Sequence, residues 1–202
     1  MPDQYFTAAP TSESRPREIE IEFEGQKFPF TTDSGVFSKD DLDAGSRLLI
    51  ENLPHLGVGQ RGLDLGCGWG PVGTIWAKGC PEAEFELTDI NERAAALAGK
   101  NLLRNGIGNA KAVSGDALSA VSGLFDAIAL NPPIRTGKEN IYRMFRDSMA
   151  RLTDSGALYI VIRVKQGADS AKKMLKNEFG NCETLDRGGG FHVLMCKKEA
   201  EK

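Results

Sequence analysis

The sequence predicts a doubly wound, mostly parallel α/β sheet that ends in an antiparallel hairpin. Three observations predict it. From Gly62 onward, short apolar runs alternate with amphipathic ones, as in a parallel sheet covered by helices on both faces. The first of those strands leads straight into a glycine-rich turn that opens a helix, Leu63-Asp64-Leu65-Gly66-Cys67-Gly68-Trp69-Gly70-Pro71. The last two strand-like runs follow one another across Arg187-Gly188-Gly189-Gly190, and strands joined so tightly must run antiparallel.

Taken in order, residues 1–17 are polar and rich in Pro, Ser and Arg, the composition of a flexible leader. Glu18–Phe23 and Lys27–Thr31 alternate polar and apolar residues around Glu24-Gly25, which predicts a hairpin. Asp43 to Leu53 fits a helix capped by Asp43, with Leu48, Leu49 and Leu53 on one face. Residues 18–55 thus form a small extension, expected to cover a ligand site on the main domain, 56–202. In that domain Gly62–Leu65, Glu84–Thr88, Ala110–Val113, Phe125–Leu130 and Ala157–Val164 read as strands. Pro71–Lys78, Glu92–Asn105, Lys138–Leu152 and Asp169–Phe179 read as helices, and Asn181–Asp186 and Phe191–Cys196 as the closing strands.

Composition narrows the function. A chain of 202 residues with 41% hydrophobic and 26% charged residues suits one soluble domain. The longest apolar runs, such as Ala157–Ile162, fall short of the roughly 20 residues of a membrane span. Met1–Pro10 has neither a basic start nor an apolar stretch, so a cytoplasmic protein without a secretory signal is expected. Cys67, Cys80, Cys182 and Cys196 are scattered, and His55 and His192 are isolated; the expectation is reduced thiols and no metal site. The net charge of −3 argues against non-specific coating of nucleic acid. Yet residues 135–176 hold ten basic residues against four acidic ones, either a footprint for phosphates or ordinary solvated helix faces.

The glycine-rich turn carries more. Gly66, Gly68 and Gly70 let the backbone bend and approach a ligand closely. A dinucleotide fingerprint would place glycine at position 71, where Pro71 stands. Proline removes an N–H from the helix start that would cradle a pyrophosphate. S-adenosylmethionine has no phosphate, and this turn suits it. Asp89 ends the next strand, where an acid can accept both ribose hydroxyls; the other reading is a cap ahead of Glu92. Asp116, with Ala117, closes the third strand and can accept from an adenine amino group, or cap its own loop.

Asn131-Pro132-Pro133-Ile134 follows the fourth strand directly. Two prolines end the strand in a stiff extended form, aiming the Asn131 amide and the Pro132 carbonyl into the crevice. Two such acceptors can grip the N–H bonds of a planar exocyclic amine, whose lone pair is otherwise delocalised into its ring, and stabilise the charge that develops on nitrogen. No general base is required, and no histidine stands nearby.

On these motifs, with Gly35-Val36-Phe37-Ser38, Leu42-Asp43-Ala44-Gly45-Ser46 and Thr88-Asp89-Ile90-Asn91, the chain resembles the class I S-adenosylmethionine-dependent methyltransferases. The resemblance is to the small methyltransferase domain of the ribosomal RNA guanine-N2 methyltransferases and runs from about residue 18 onward. It implies a seven-stranded Rossmann-like sheet and a target amine held at Asn131, Pro132 and Pro133. The expected cofactor contacts are Asp64, Gly66, Cys67, Gly68, Gly70, Asp89, Ile90, Asp116, Ala117 and Asn131. Phe37 is expected over the cofactor, either as a lid or as a buried aromatic leading into the next helix. The residue after Pro-Pro is usually aromatic in amine methyltransferases; Ile134 here gives up ring–ring stacking of about 1–3 kcal/mol. Substrate recognition then falls to Ile134, Arg135, Lys138, Arg143 and Lys165, to the leader and hairpin, or to a second subunit, with ribosomal RNA or a ribosomal subunit as partner and a monomer or homodimer as the working unit. Adenine N6 and the side-chain amide of protein glutamine remain alternative targets. An NAD-dependent reductase is disfavoured by Pro71 and the Asn-Pro-Pro run, and a non-catalytic cofactor-binding module by the intact Asn131.

Overall fold

The computed structural model describes residues 12–57 and 59–199. A hairpin of β1 (Arg17–Phe23) and β2 (Gln26–Thr32) precedes α1 (Ala44–Asn52). Strands β3 (Arg61–Leu65), β4 (Glu84–Asp89), β5 (Ala110–Ser114) and β6 (Phe125–Leu130) follow, with α2 (Pro71–Gly79) and α3 (Glu92–Arg104) between the first three. Then come α4 (Lys138–Ala150), β7 (Leu152–Arg163), α5 (Ala168–Phe179), β8 (Glu183–Gly188) and β9 (Phe191–Lys197). Seven strands form one sheet in the order β5-β4-β3-β6-β7-β9-β8, with β9 antiparallel to β7 and β8. This is the seven-stranded, doubly wound sheet with an antiparallel end that the sequence predicts.

Burial on both faces explains why the run 157–162 of β7 is apolar throughout. Along β7, Ala157, Tyr159 and Val161 join one core cluster with α1, α2 and α3, while Leu158, Ile160 and Ile162 join the other with α4 and α5. Successive side chains point to opposite faces, so neither face tolerates a polar stripe. Ile21, Phe28 and Phe30 of the hairpin enter the first cluster. Buried Asn101 fixes the hairpin, accepting from Thr31 N and donating to the Thr31 and Trp69 carbonyls. The extension therefore shares the main core. Of the leader expected over 1–17, residues 1–11 lie outside the described residues. Ser14 and Arg15 donate to Asp33, and Arg93 donates to the Ser12 carbonyl.

The boundaries differ most from expectation before β7 and in the closing hairpin. Strand β7 begins at Leu152, five residues before Ala157, and α4 stops at Ala150. Leu152 pairs with Phe125 and the register shifts before Ala127. The intervening bulge contains Ser155 at φ 66 and Gly156, where a Cβ would lie 2.9 Å from the Thr153 carbonyl oxygen. Polar bulge residues break the period-2 pattern that betrays a strand. In the closing hairpin the turn is only Gly189-Gly190, both at positive φ (56 and 80), as a type I′ turn requires. Arg187 and Gly188 belong to β8.

Register places the site. Leu65 pairs with Thr88 on one side and Leu130 on the other. Gly66, Asp89 and Asn131 each come next in their own chains, so three distant segments meet at the carboxyl edge of the central strands.

Candidate active site

That edge opens into a cavity of about 1020 Å³, bounded by the β3–α2 turn, the ends of β4 and β6, the start of α1 and one side of α4. Gly66 and Gly68 adopt positive φ (74 and 57), and a Cβ at either would meet nothing within 4 Å. Both line the cavity, as does Cys67 between them. A side chain at 66 or 68 would project into open space, so this is a bare backbone cradle.

Asp89 ends β4 beside it. Its Oδ2 accepts from Gly68 N and its Oδ1 from Asn91 N, both at 2.8 Å. Each carboxylate oxygen has capacity for a further donor. The cap of α3 is Asn91, which accepts from Arg93 N and Ala94 N; the capping alternative for Asp89 falls away. Burial pushes the Asp89 carboxyl up, against the two backbone bonds. Asp116 lines the cavity, is exposed, and caps nothing with its side chain. Ile90 also lines the cavity.

Asp64 lies beneath the turn, 4% exposed, and accepts from Gly73 N at 2.8 Å. Burial is the main cause that pushes its carboxyl up to about 7; the Gly73 bond opposes this and the charge of Asp89 adds to it. Between the ordinary carboxylate range and that value, the folded chain holds a proton that the unfolded chain has lost. The stabilisation tied to that proton is present in acid and disappears as pH rises through 7. At about 1.4 kcal/mol per unit, the full swing is on the order of 4 kcal/mol. Asp64→Asn keeps an acceptor for Gly73 and cannot ionise. Thermal melts without cofactor should show the variant gaining on wild type from pH 5 to about pH 7 and levelling off by pH 8; a pH-independent difference would refute the assignment.

Asn131 is partly buried, and its Nδ2 donates to Asp43 Oδ1 at 3.2 Å and to Ser46 Oγ at 3.1 Å. Its Oδ1 accepts from no described residue. The Pro133 carbonyl is taken by Thr136 N and Oγ1. The Pro132 carbonyl accepts no hydrogen bond from the described residues. Phe37 is 47% exposed and lines the cavity, while its carbonyl accepts from Trp69 Nε1; it is a rim residue and not a buried aromatic. Ile134 lines the cavity as well.

Three residues expected at the site lie off the cavity lining. Gly70 caps α2, and a Cβ there would come within 2.9 Å of Ala98 Cβ; its missing side chain serves the packing of α2 on α3. Lys138 sits over the Tyr142 ring at 5.3 Å, away from the α4 face of Asn140, Arg143, Met144 and Asp147 that lines the cavity at helical spacing. Lys165 lies past the end of β7. The side chains of Ala117 and Arg135 fall outside what is described.

In place of the two lysines the lining holds Arg143, Arg151 and Arg163, and Arg163 stands 5.0 Å above the Phe191 ring. Arg163, Phe191, Ser46 and the contact of Asp43 with Asn131 escape sequence reading. They lie up to 88 residues from their partners, and no local period connects them.

A model of the methyltransferase small domain matches residues 27–195. The "Uncharacterized protein YbxB" of Bacillus subtilis is 38% identical over 200 residues, covering 98% of this chain and all of that protein. The ribosomal RNA small subunit methyltransferase C of Vibrio parahaemolyticus is 34% identical over 171 residues, 81% of this chain and 48% of that one. A solved structure of the T. thermophilus 16S rRNA N2 methyltransferase (RsmC) in complex with AdoMet and guanosine matches with a TM-score of 0.80. Its identity is 26%, covering 91% of this chain and 51% of that one. The chain thus spans about half the length of these ribosomal RNA methyltransferases.

Proposed function

This chain belongs to the methyltransferase small domain family and is an S-adenosylmethionine-dependent methyltransferase; on that premise we propose that it methylates an exocyclic amine of a base in ribosomal RNA, guanine N2 by preference. The observation that carries the reading is the paired, unoccupied acceptor capacity at Asn131 Oδ1 and the Pro132 carbonyl, on a stiff turn at the mouth of the cofactor cavity. The ribosomal RNA methyltransferases among its relatives, and the guanosine named with one of them, support the choice of base.

The cavity fits the cofactor. The open Cα positions of Gly66 and Gly68 would admit its methionine and ribose, Asp89 would accept the two ribose hydroxyls, and Asp116 would accept from the adenine amine. Ile90 would pack against the adenine ring, and Asp64 braces the turn through Gly73. When bound, S-adenosylmethionine would supply the methyl group, the nitrogen–carbon bond forming as carbon–sulfur breaks, with S-adenosylhomocysteine as the product and one proton lost from nitrogen to water. Asn131 Oδ1 and the Pro132 carbonyl hold the two N–H bonds, so that the lone pair turns out of the ring plane and the positive charge developing on nitrogen is met by preorganised dipoles. Pro133 fixes the direction of the turn. Ile134 and Phe37 bound the slot for the base, and Arg143 and Arg163 offer charge to the adjoining phosphates.

Incubation with radiolabelled cofactor, ribosomal subunits, extracted RNA and protein extract tests the proposal. Label is expected in ribosomal RNA, migrating as N2-methylguanosine after nuclease digestion. Label confined to protein would overturn it; label in another amino base would overturn the choice of guanine.

A further inference from the structure

The orientation of Asn131 is set by a second pair of side chains. A primary amide has two nearly isosteric orientations, and a half-turn of its plane exchanges an acceptor for two donors. Only one of them suits an amine target, which brings N–H bonds of its own. Both hydrogens of Asn131 Nδ2 have partners, Asp43 Oδ1 at 3.2 Å and Ser46 Oγ at 3.1 Å. A carboxylate offers acceptors alone, so the flipped amide would set oxygen against oxygen.

Asp43 is itself immobilised, because its Oδ1 also caps α1 by accepting from Gly45 N at 3.0 Å and Ser46 N at 3.1 Å. Gly45 makes room for this: a Cβ there would stand 3.0 Å from Asp43 Oδ1 and 3.0 Å from the Phe191 ring. The start of α1 is thereby pressed between the end of β6 and the start of β9.

We propose that Asp43 and Ser46 are positioning residues that lock the Asn131 amide with its oxygen toward the cavity, and so restrict the target to N–H donors. The proposal deepens the amine reading above and rests on it. Both also line the cavity. Through Asn131 they remove the reorganisation that a free amide would undergo at each turnover.

Asp43→Asn keeps the oxygen that caps α1, since asparagine caps helices as well as aspartate does, and puts an NH2 group in place of Oδ2, which lies 3.5 Å from Asn131 Nδ2. It places an amide opposite Asn131, so that Asn131 can turn its NH2 outward. With tritiated cofactor and unmodified ribosomal RNA transcripts, kcat should fall about 10-fold to 30-fold, while the Kd for S-adenosylhomocysteine stays within about twofold. Ser46→Ala should lower kcat about threefold. The exchange variant Asp43→Asn/Asn131→Asp restores a donor–acceptor pair with an acceptor-only group facing the cavity. It should exceed Asn131→Asp alone, where two carboxylates confront each other, by at least about tenfold. A purely structural role for Asp43 predicts no such recovery.

A readout without substrate accompanies these. In a 15N spectrum the Asn131 side-chain protons, assigned by their loss in Asn131→Ala, should exchange slowly with solvent, and faster in Asp43→Asn/Ser46→Ala. Exchange as fast as that of an exposed asparagine in the wild-type chain would overturn the lock, as would an Asp43→Asn kcat within about twofold of wild type. Should neither the transcripts nor ribosomal subunits take label from the wild-type protein, the RNA reading fails and the exchange rates alone decide the lock.

Discussion

Asn131→Ala should lower kcat for methyl transfer about 10²–10³-fold and leave the Kd for S-adenosylmethionine within about twofold. The magnitude follows from what the amide does. It supplies one of two fixed acceptors to a nitrogen that becomes positively charged only as the new bond forms, so its contribution is larger in the transition state than in the bound ground state. Removing a preorganised dipole of this kind costs about 2.7–4 kcal/mol. Alanine also empties the place of the Nδ2 group and leaves Asp43 and Ser46 facing water, but Asp43 keeps its two bonds to the start of α1, so the fold should persist. Single-turnover labelling, with calorimetric titration of S-adenosylhomocysteine, separates the two quantities. Loss of cofactor affinity comparable to the loss of rate would mean that Asn131 binds the cofactor and does not act on the amine.

The converse is expected at Asp89. Asp89→Ala should raise the Kd for S-adenosylhomocysteine at least about 100-fold, because two charge-assisted bonds of about 1.5–3 kcal/mol each are lost and every 1.4 kcal/mol or so is a factor of ten. The same residue braces the glycine turn through Gly68 N, which adds to the effect. Titration sharpens the test. Burial raises the Asp89 carboxyl, and its charged form is the stronger acceptor. Cofactor affinity should therefore weaken as pH falls, starting above the ordinary carboxylate range, and Asp89→Asn should flatten that dependence. An Asp89→Ala variant that binds within about threefold of wild type would remove the ribose role.

The two residues were legible in the sequence to different degrees. Asp89 and the glycine turn belong to one strand–turn–helix unit and the strand beside it, so spacing alone suggested their proximity. Even there, spacing misjudged Gly70. It shares the turn with Gly66 and Gly68, yet its α-carbon faces Ala98, and only the packing of α2 on α3 reveals which glycine serves a ligand and which a helix contact. The basic residues make the same point. Lys138 and Arg143 stand on one helix, but the face of α4 turned to the cavity is chosen by how Ile141, Phe145 and Met149 bury against the sheet.

By itself the sequence determined the alternation of strands and helices, the antiparallel close across Arg187-Gly188-Gly189-Gly190, and the meeting of the glycine turn, Asp89 and Asn131 at one edge. Those follow from periodicity, backbone freedom and the direction common to parallel strands, all of which are local properties. The tertiary structure alone decided which way the Asn131 amide faces, which cations border the cavity, and that the hairpin shares the central core. These depend on side chains brought together from positions 43, 46, 131, 163 and 191, and no nearest-neighbour pattern records a contact that arises only when separate elements pack.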